Sequence, residues 1–158
     1  MRGLAADRSG TVMIEFALAL PVLALLIVGL ADLGSFSLQK SAMLQGAQAG
    51  AQYGIIAYGG GIAVSDAEST NINTTTQNAT GLSGVTAANN IFCECVSGTS
   101  VVCTTTCSAG QTRKRYLTVS ATKSFSSALS VATHNFGGLM RWTPPSTVSA
   151  SVTTIVPE

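Results

Sequence analysis

The residue with the clearest chemical potential is a glutamate placed inside an apolar stretch. Residues 9–16 read Ser-Gly-Thr-Val-Met-Ile-Glu-Phe and lead into a run without charged residues that ends at Ala31. A charge at the centre of a membrane helix costs about 2.5–3.5 kcal/mol on insertion scales, so Glu15 needs a partner. If the chain is cut after Gly10, Thr11 gains an α-amino group four residues before Glu15, on the same helix face. The ammonium and the carboxylate can then neutralise each other, within one chain or between neighbouring chains.

This region resembles the TadE family of minor pseudopilins, part of the tight-adherence (Flp) branch of type IV pilus systems. The resemblance covers residues 7–58 and is carried by Gly-Thr-Val-Met-Ile-Glu-Phe-Ala-Leu at 10–18 and Pro-Val-Leu at 21–23. It implies a non-enzymatic role in pilus assembly or priming, with cleavage after Gly10 by a prepilin peptidase. It also implies docking through Glu15 and Phe16 onto other pilins, pseudopilins and the assembly platform. Thr11 departs from the main type IV pilins, whose first mature residue is commonly Phe. The alternative for Glu15 is a carboxylate that snorkels to the edge of an ordinary anchor.

The N-terminal stretch has the length of a single membrane span. Residues 11–31 can cross about 30 Å of hydrocarbon as a helix, behind a leader of residues 1–10. Arg2 and Arg8 favour a cytoplasmic N-terminus by the positive-inside rule, which predicts a bacterial inner-membrane anchor with a periplasmic head. The alternative is a signal peptide cut near Ala31, which would release an adhesive or binding β domain. Acidic residues in the leader and in the apolar run argue against a signal peptide.

The same helix is predicted to continue outside the membrane over residues 32–58, where apolar residues recur every three or four positions. Pro21 removes one backbone hydrogen bond within the span and predicts a kink or local melting. Gly46, Gly50 and Gly54 fall at four-residue intervals, although glycine costs about 1 kcal/mol in a helix interior. They predict a close-packing strip, either against the chain's own β-sheet or in a groove between subunits.

Four cysteines point to disulfides in the head. Cys93 and Cys95 share one face of a strand, and a hairpin returns Cys103 and Cys107 to them. Nested pairing, Cys95 with Cys103 and Cys93 with Cys107, follows from a hairpin centred near residues 98–100, and the crossed pairing stays open. Zinc is disfavoured because a one-residue gap is tighter than paired zinc ligands prefer, and no metal or other cofactor is expected.

The remainder, residues 59–158, predicts a β-rich periplasmic head. A triple glycine from residue 59 ends the long helix, and a weak second helix is predicted over 66–80. Strands are predicted over 90–96, 99–104, 116–122 and 147–155. The fold class is therefore α+β, with a long helix packed on a small antiparallel sheet of three or four strands in the manner of a pilin.

Composition excludes several classes of function. Charged residues are 9% of the 158, and the net charge is +1, which does not suit nucleic-acid binding. His134 is the only histidine, and no paired acids or phosphate loop accompany it, so neither an enzyme nor a small-molecule substrate is predicted. Arg113, Lys114 and Arg115 form the densest basic cluster, either a solvated turn or a contact for an acidic surface.

Overall fold

A computed structural model of the chain describes residues 9–59, 66–95, 98–128 and 145–157. Residues 1–8 of the predicted leader (residues 1–10) and His134 lie outside the described residues. The elements are α1 (Ser9–Gly59), α2 (Asp66–Thr80), β1 (Thr86–Glu94), β2 (Ser100–Val101), β3 (Lys114–Ser124) and β4 (Thr147–Val156). All neighbouring strands are antiparallel, in the order β2-β1-β3-β4. The α+β class, the long helix and the four-stranded sheet are confirmed.

Residues 9–128 and 145–157 belong to two compact units. The first contains the described residues 9–35 and 126–128, and the second contains 36–125 and 145–157 apart from the undescribed gaps. In the first unit, α1 is helical on both sides of Pro21, so the predicted local melting does not divide the helix. One missing i→i−4 hydrogen bond is compatible with a continuous helix when the turns on either side keep theirs.

In the second unit, the C-terminal half of α1 and all of α2 pack on one face of the sheet. The larger buried cluster joins both helices to the strands, through Ala51, Tyr58, Ile72, Leu117, Val119 and Val156. A second cluster contains Met43, Ala121 and Val148. Beside it, Phe36 and Phe125 meet edge to face with ring centroids 5.3 Å apart. Inward residues of β3 and β4 alternate with outward ones, as expected for a sheet covered on one face.

Two strand boundaries, the start of β1 and the end of β2, differ from the sequence prediction by more than two residues. β1 begins at Thr86 rather than at residue 90, because its first four residues complete a nine-position register with β3. β2 is only two residues long, since the chain turns away at residues 102–105, where Thr105 N donates to Val102 O at 2.8 Å. The second helix has its predicted bounds and ends at Thr80; the next residue is Gly81, whose φ of +63° suits the position after a helix C-terminus.

Candidate functional site

The N-terminal part of α1 presents an apolar surface that nothing in the described chain covers. One helix, from Val12 onward, is long and apolar enough to cross a membrane, and none of its most apolar 18-residue window is buried. The exposed large side chains of this segment are Val12, Met13, Ile14, Phe16, Leu18, Leu20, Val22, Leu23, Leu25, Leu26, Ile27, Leu30 and Leu33. A continuous apolar surface of this kind requires an apolar environment, from lipid or from other helices.

Glu15 lies on this surface, beside Phe16, which is 64% exposed. Gly10 and Thr11 are helical in backbone, since α1 begins at Ser9. Four residues of helix separate Thr11 from Glu15, a rise of about 6 Å on the same face. Within the described chain, no residue forms an ion pair or a hydrogen bond with the Glu15 carboxylate. A partner for it must therefore come from solvent, from lipid, from the N-terminus or from another chain.

The three glycines at four-residue intervals contact α2 as well as the sheet. At Gly46, an added Cβ would lie 2.7 Å from Thr76 O and closer still to Thr80 Cγ2. At Gly50 it would collide with Thr76 Oγ1 and lie 3.1 Å from Val119 Cγ1. These approaches leave room for a hydrogen atom only, which explains the glycines despite their cost in a helix.

Gly54 completes the pattern against the sheet and the start of α2. Its added Cβ would collide with Leu117 Cδ2 and lie 3.3 Å from Ile72 Cδ1. As the glycine number rises from 46 to 54, its α2 neighbour falls from Thr80 to Ile72, so the two helices run antiparallel. Matched four-residue ridges allow this close approach. The strip lies inside the chain, where it contacts both α2 and the sheet, rather than in the alternative groove between subunits.

A polar clamp fastens α2 to the first strand. Asn89 Nδ2 donates to Ser69 O and to Asn73 Oδ1, each at 2.8 Å, and Ser69 Oγ donates to Asn89 Oδ1 at 3.1 Å. Sequence reasoning missed this contact. The available signal was the pair of asparagines at residues 89 and 90, a residue type that is uncommon in strands.

At the end of the apolar segment, the Asp32 carboxylate accepts hydrogen bonds from residues that are distant in sequence. Asp32 Oδ2 accepts from Ser127 Oγ at 2.5 Å, and Asp32 Oδ1 accepts from Ala128 N at 3.1 Å. Ser127 is buried although it carries a hydroxyl. The first acidic residue after the apolar run is therefore structural in the first unit, a role that the sequence pattern did not indicate.

The four cysteines form two disulfides, and the nested pairing is wrong. Cys93 bonds to Cys103 and Cys95 to Cys107, with Cα–Cα distances of 4.9 and 5.4 Å. Nested pairing would require Cys95 opposite Cys103, and so Cys93 opposite Thr105. Instead Cys93 lies opposite Val101, four residues earlier, because the midpoint of the strand register lies two residues earlier in the chain than predicted.

The basic cluster is split by the strand geometry. Arg113 Nη1 donates to Cys103 O at 2.6 Å, which ties it to the disulfide hairpin. Lys114 is exposed and lies opposite Glu94 in the register, and Arg115 points to the other sheet face, opposite buried Cys93. The three side chains therefore do not form one basic patch.

Two tyrosines at the end of α1 are electrostatically linked to α2. A hydrogen bond to Glu68 raises the pKa of Tyr53, with burial and the Glu68 charge acting in the same direction. Burial raises the pKa of Tyr58, and the charge of Glu68 adds to the effect. The buried Tyr58 hydroxyl has no hydrogen-bond partner in the described part of the chain.

Comparison with protein families identifies the N-terminal part of the chain. The model of the TadE family, described as TadE-like protein, matches residues 10–52. This interval contains the Gly10–Thr11 bond, Glu15 and the exposed apolar surface, and it ends between Gly50 and Gly54. No curated protein and no solved structure matches the chain. The resemblance to TadE-like proteins is thus confirmed over this interval, and the match does not extend to the sheet.

Proposed function

We propose that this protein is a TadE-like minor pseudopilin that acts in assembly or priming of a tight-adherence pilus. The observation that carries the proposal is the coincidence of three features in residues 10–52. They are the family match, an uncovered apolar helix face, and a carboxylate without a partner among the described residues. A protein that works alone in water has no use for such a surface, whereas lateral packing among membrane helices requires it.

In this proposal the helix is a single-pass anchor with its N-terminus in the cytoplasm and the sheet in the periplasm. A prepilin peptidase cuts after Gly10. The new Thr11 ammonium and the Glu15 carboxylate then carry opposite charges about one helical turn apart. Placed at one membrane depth, the pair lowers the cost of keeping Glu15 in an apolar environment. An intermolecular version of the same pair aligns neighbouring pilin helices, with Phe16 beside it as an apolar contact.

The proposal is tested first by the N-terminal residue of the mature protein, measured by mass spectrometry on protein from membranes. We expect Thr11. A mature N-terminus near Asp32 would assign the protein to the secreted binding domains and leave Glu15 in a discarded peptide. An intact Met1 would keep the anchor but remove the link to prepilin processing.

The proposed docking role of Glu15 is tested separately, with a variant of that residue. Glu15→Gln keeps the size of the side chain and removes its charge, so we expect normal membrane insertion and cleavage with loss of co-purification with pilin partners. Met13→Leu is the matched control, because it changes an exposed neighbour without changing charge. If Glu15→Gln retains its partners as well as Met13→Leu does, the charge has no part in docking.

A further inference from the structure

The sheet has one face that neither helix covers. Inward residues of β3 pack under the helices, since Leu117 is fully buried and Val119 Cγ1 lies 3.1 Å from a Cβ added at Gly50. Outward residues alternate with them along each strand and therefore lie on the opposite face. The proposed pilus role does not use this outward face of β1, β3 and β4.

Three apolar side chains form one row across the outward face. Tyr116 of β3 lies opposite both Phe92 of β1 and Ile155 of β4. The rings of Tyr116 and Phe92 stack with centroids 5.2 Å apart and planes inclined by 11°, and Ile155 is 55% exposed. Neighbouring strands are about 4.8 Å apart, so this apolar row is about 10 Å long.

A row of hydrogen-bonding side chains runs beside the apolar row. This polar row consists of Asn90, Thr118 and Thr153, two residues further along each strand and about 7 Å away. The hydroxyls of Thr118 and Thr153 are 2.8 Å apart and share one hydrogen bond, which leaves one donor and several acceptor lone pairs. Asn90 is exposed, and its amide forms no hydrogen bond with any described residue. The polar row can therefore both donate to a ligand and accept from it.

Formal charge is nearly absent from the outward face. Beyond the polar row the outward residues are small and neutral, namely Ala88, Ser120 and Ser151, followed by Thr86, Thr122 and Ser149. On the other side of the apolar row, Lys114 lies opposite Glu94, and their charges have opposite signs. The surface therefore suits an uncharged ligand that combines hydroxyls with flat apolar faces.

We propose that the apolar and polar rows bind a neutral polysaccharide of β-1,4-linked hexose units. Such a chain is an extended ribbon, with C–H groups on its ring faces and hydroxyls along its edges. Its units repeat at nearly the spacing of strands in a sheet. Laid across the strands, the ribbon places its ring faces on Phe92, Tyr116 and Ile155 and directs the hydroxyls of one edge toward the polar row.

The composition of the face favours this ligand over a macromolecule of another class. Serine is depleted in protein interfaces, and serine and threonine rarely supply hot spots, whereas most outward positions of this sheet are Ser or Thr. A nucleic acid or an anionic polysaccharide would need a series of cations, and the outward positions of the described strands offer only Lys114, which faces Glu94.

The test uses the full chain in detergent micelles and isothermal titration with cellohexaose. Maltohexaose is the counterpart of equal length and composition, but its α-1,4 linkages curve the chain, so successive ring faces cannot lie on a straight row. We expect cellohexaose to bind more tightly, by about threefold to tenfold, the value of one stacking contact.

Variants of the apolar row locate the binding site. Ile155→Ser and Tyr116→Ala should each weaken cellohexaose binding about threefold to tenfold, whereas Tyr116→Phe keeps the ring and should bind as the unchanged protein does. Ile56→Ser is the matched control for Ile155→Ser, because Ile56 is 77% exposed on α1, which packs on the inward face. It should leave binding unchanged.

Three results would overturn the proposal. They are no binding of cellohexaose, equal affinity for the two sugars, and an equal loss in Ile155→Ser and Ile56→Ser. Self-association that Ile155→Ser abolishes, in the absence of sugar binding, would instead assign the face to a protein contact. The inference goes beyond the proposed pilus role and does not rest on it. Glu15→Gln should leave sugar binding unchanged, so failure here and failure of the pilus proposal are separate outcomes.

Discussion

Gly50→Ala tests whether the glycine strip holds the two helices together. In a free helix this change stabilises by about 1 kcal/mol. Here the new methyl group would collide with Thr76 Oγ1 and lie 3.2 Å from Thr76 Cβ and 3.1 Å from Val119 Cγ1. Thr76 is fully buried and its hydroxyl donates to Ile72 O at 2.8 Å, so it has little room to turn away.

Overpacking of a core typically costs about 1–3 kcal/mol, so after the helix gain we expect a net loss of about 1 kcal/mol. Gly50 lies in the second unit, which has about 100 residues, so the midpoint of thermal unfolding should fall by about 4–8 °C. The measurement is denaturant and thermal unfolding of the full chain in micelles with the disulfides intact, followed by circular dichroism. Gly34→Ala is the matched control, because no atom in the described part of the chain lies within 4 Å of its added Cβ. It should be neutral or slightly stabilising.

A double variant tests whether the close contact between Gly50 and Thr76 limits stability. Thr76→Ala removes the hydroxyl oxygen that collides, so in the double variant the methyl group added at position 50 takes the space that this hydroxyl leaves. Its loss of stability should be smaller than the sum of the single losses by about 1 kcal/mol, within the range seen for residues in contact. If the two losses add, or if Gly50→Ala is as stable as Gly34→Ala, then the close approach of the helices does not limit stability.

Three further predictions concern the ionisable groups and the disulfides. Burial raises the pKa of Tyr58 above its ordinary 10.0, so its contribution to the free energy of unfolding should be complete below about pH 10 and lost as pH rises through the folded pKa. Tyr58→Phe should therefore weaken the dependence of the unfolding midpoint on pH above about pH 10. Asp32→Ala removes two acceptors, so the Ala128 amide should exchange with solvent about tenfold faster, measured by hydrogen exchange. Stepwise reduction with mass spectrometry should recover the Cys93–Cys103 pair, and replacing both cysteines by serine should cost about 2–4 kcal/mol.

The regular elements could be predicted because their patterns are local. β3 and β4 alternate apolar inward and polar outward residues, and that alternation alone identifies a strand with one buried face. The triple glycine located the end of α1 for an equally local reason. By contrast, the first residues of β1 have no strand preference of their own, and they are extended because β3 provides nine consecutive partners.

The disulfide pairing and the partner of the glycine strip depend on how separate elements pack against each other, which the pattern of a single element does not specify. Cysteine spacing allows both pairings, and a four-residue change in hairpin register decides between them. For the strip, a signal did exist: Ile72, Thr76 and Thr80 share the four-residue spacing of the glycines. All three are buried, although α2 is otherwise rich in threonine and asparagine. Such a helix forms because its one buried ridge packs, not because its residues favour helix.

Glycines at two places in α1 show why its halves need different partners. In the second half, Gly50 lets α2 approach, so the helix satisfies its packing within its own chain. In the first half, Gly29 and Gly34 have no atom of a described residue within 4 Å of an added Cβ, and the large apolar residues around them are exposed. None of the most apolar window of that segment is buried within the described chain, so in the proposed function lipid or other helices cover it. In the proposed function, the partner of the Glu15 carboxylate arrives with those helices or with a new N-terminus. Removing that charge should therefore affect assembly while leaving the stability of the sheet unchanged.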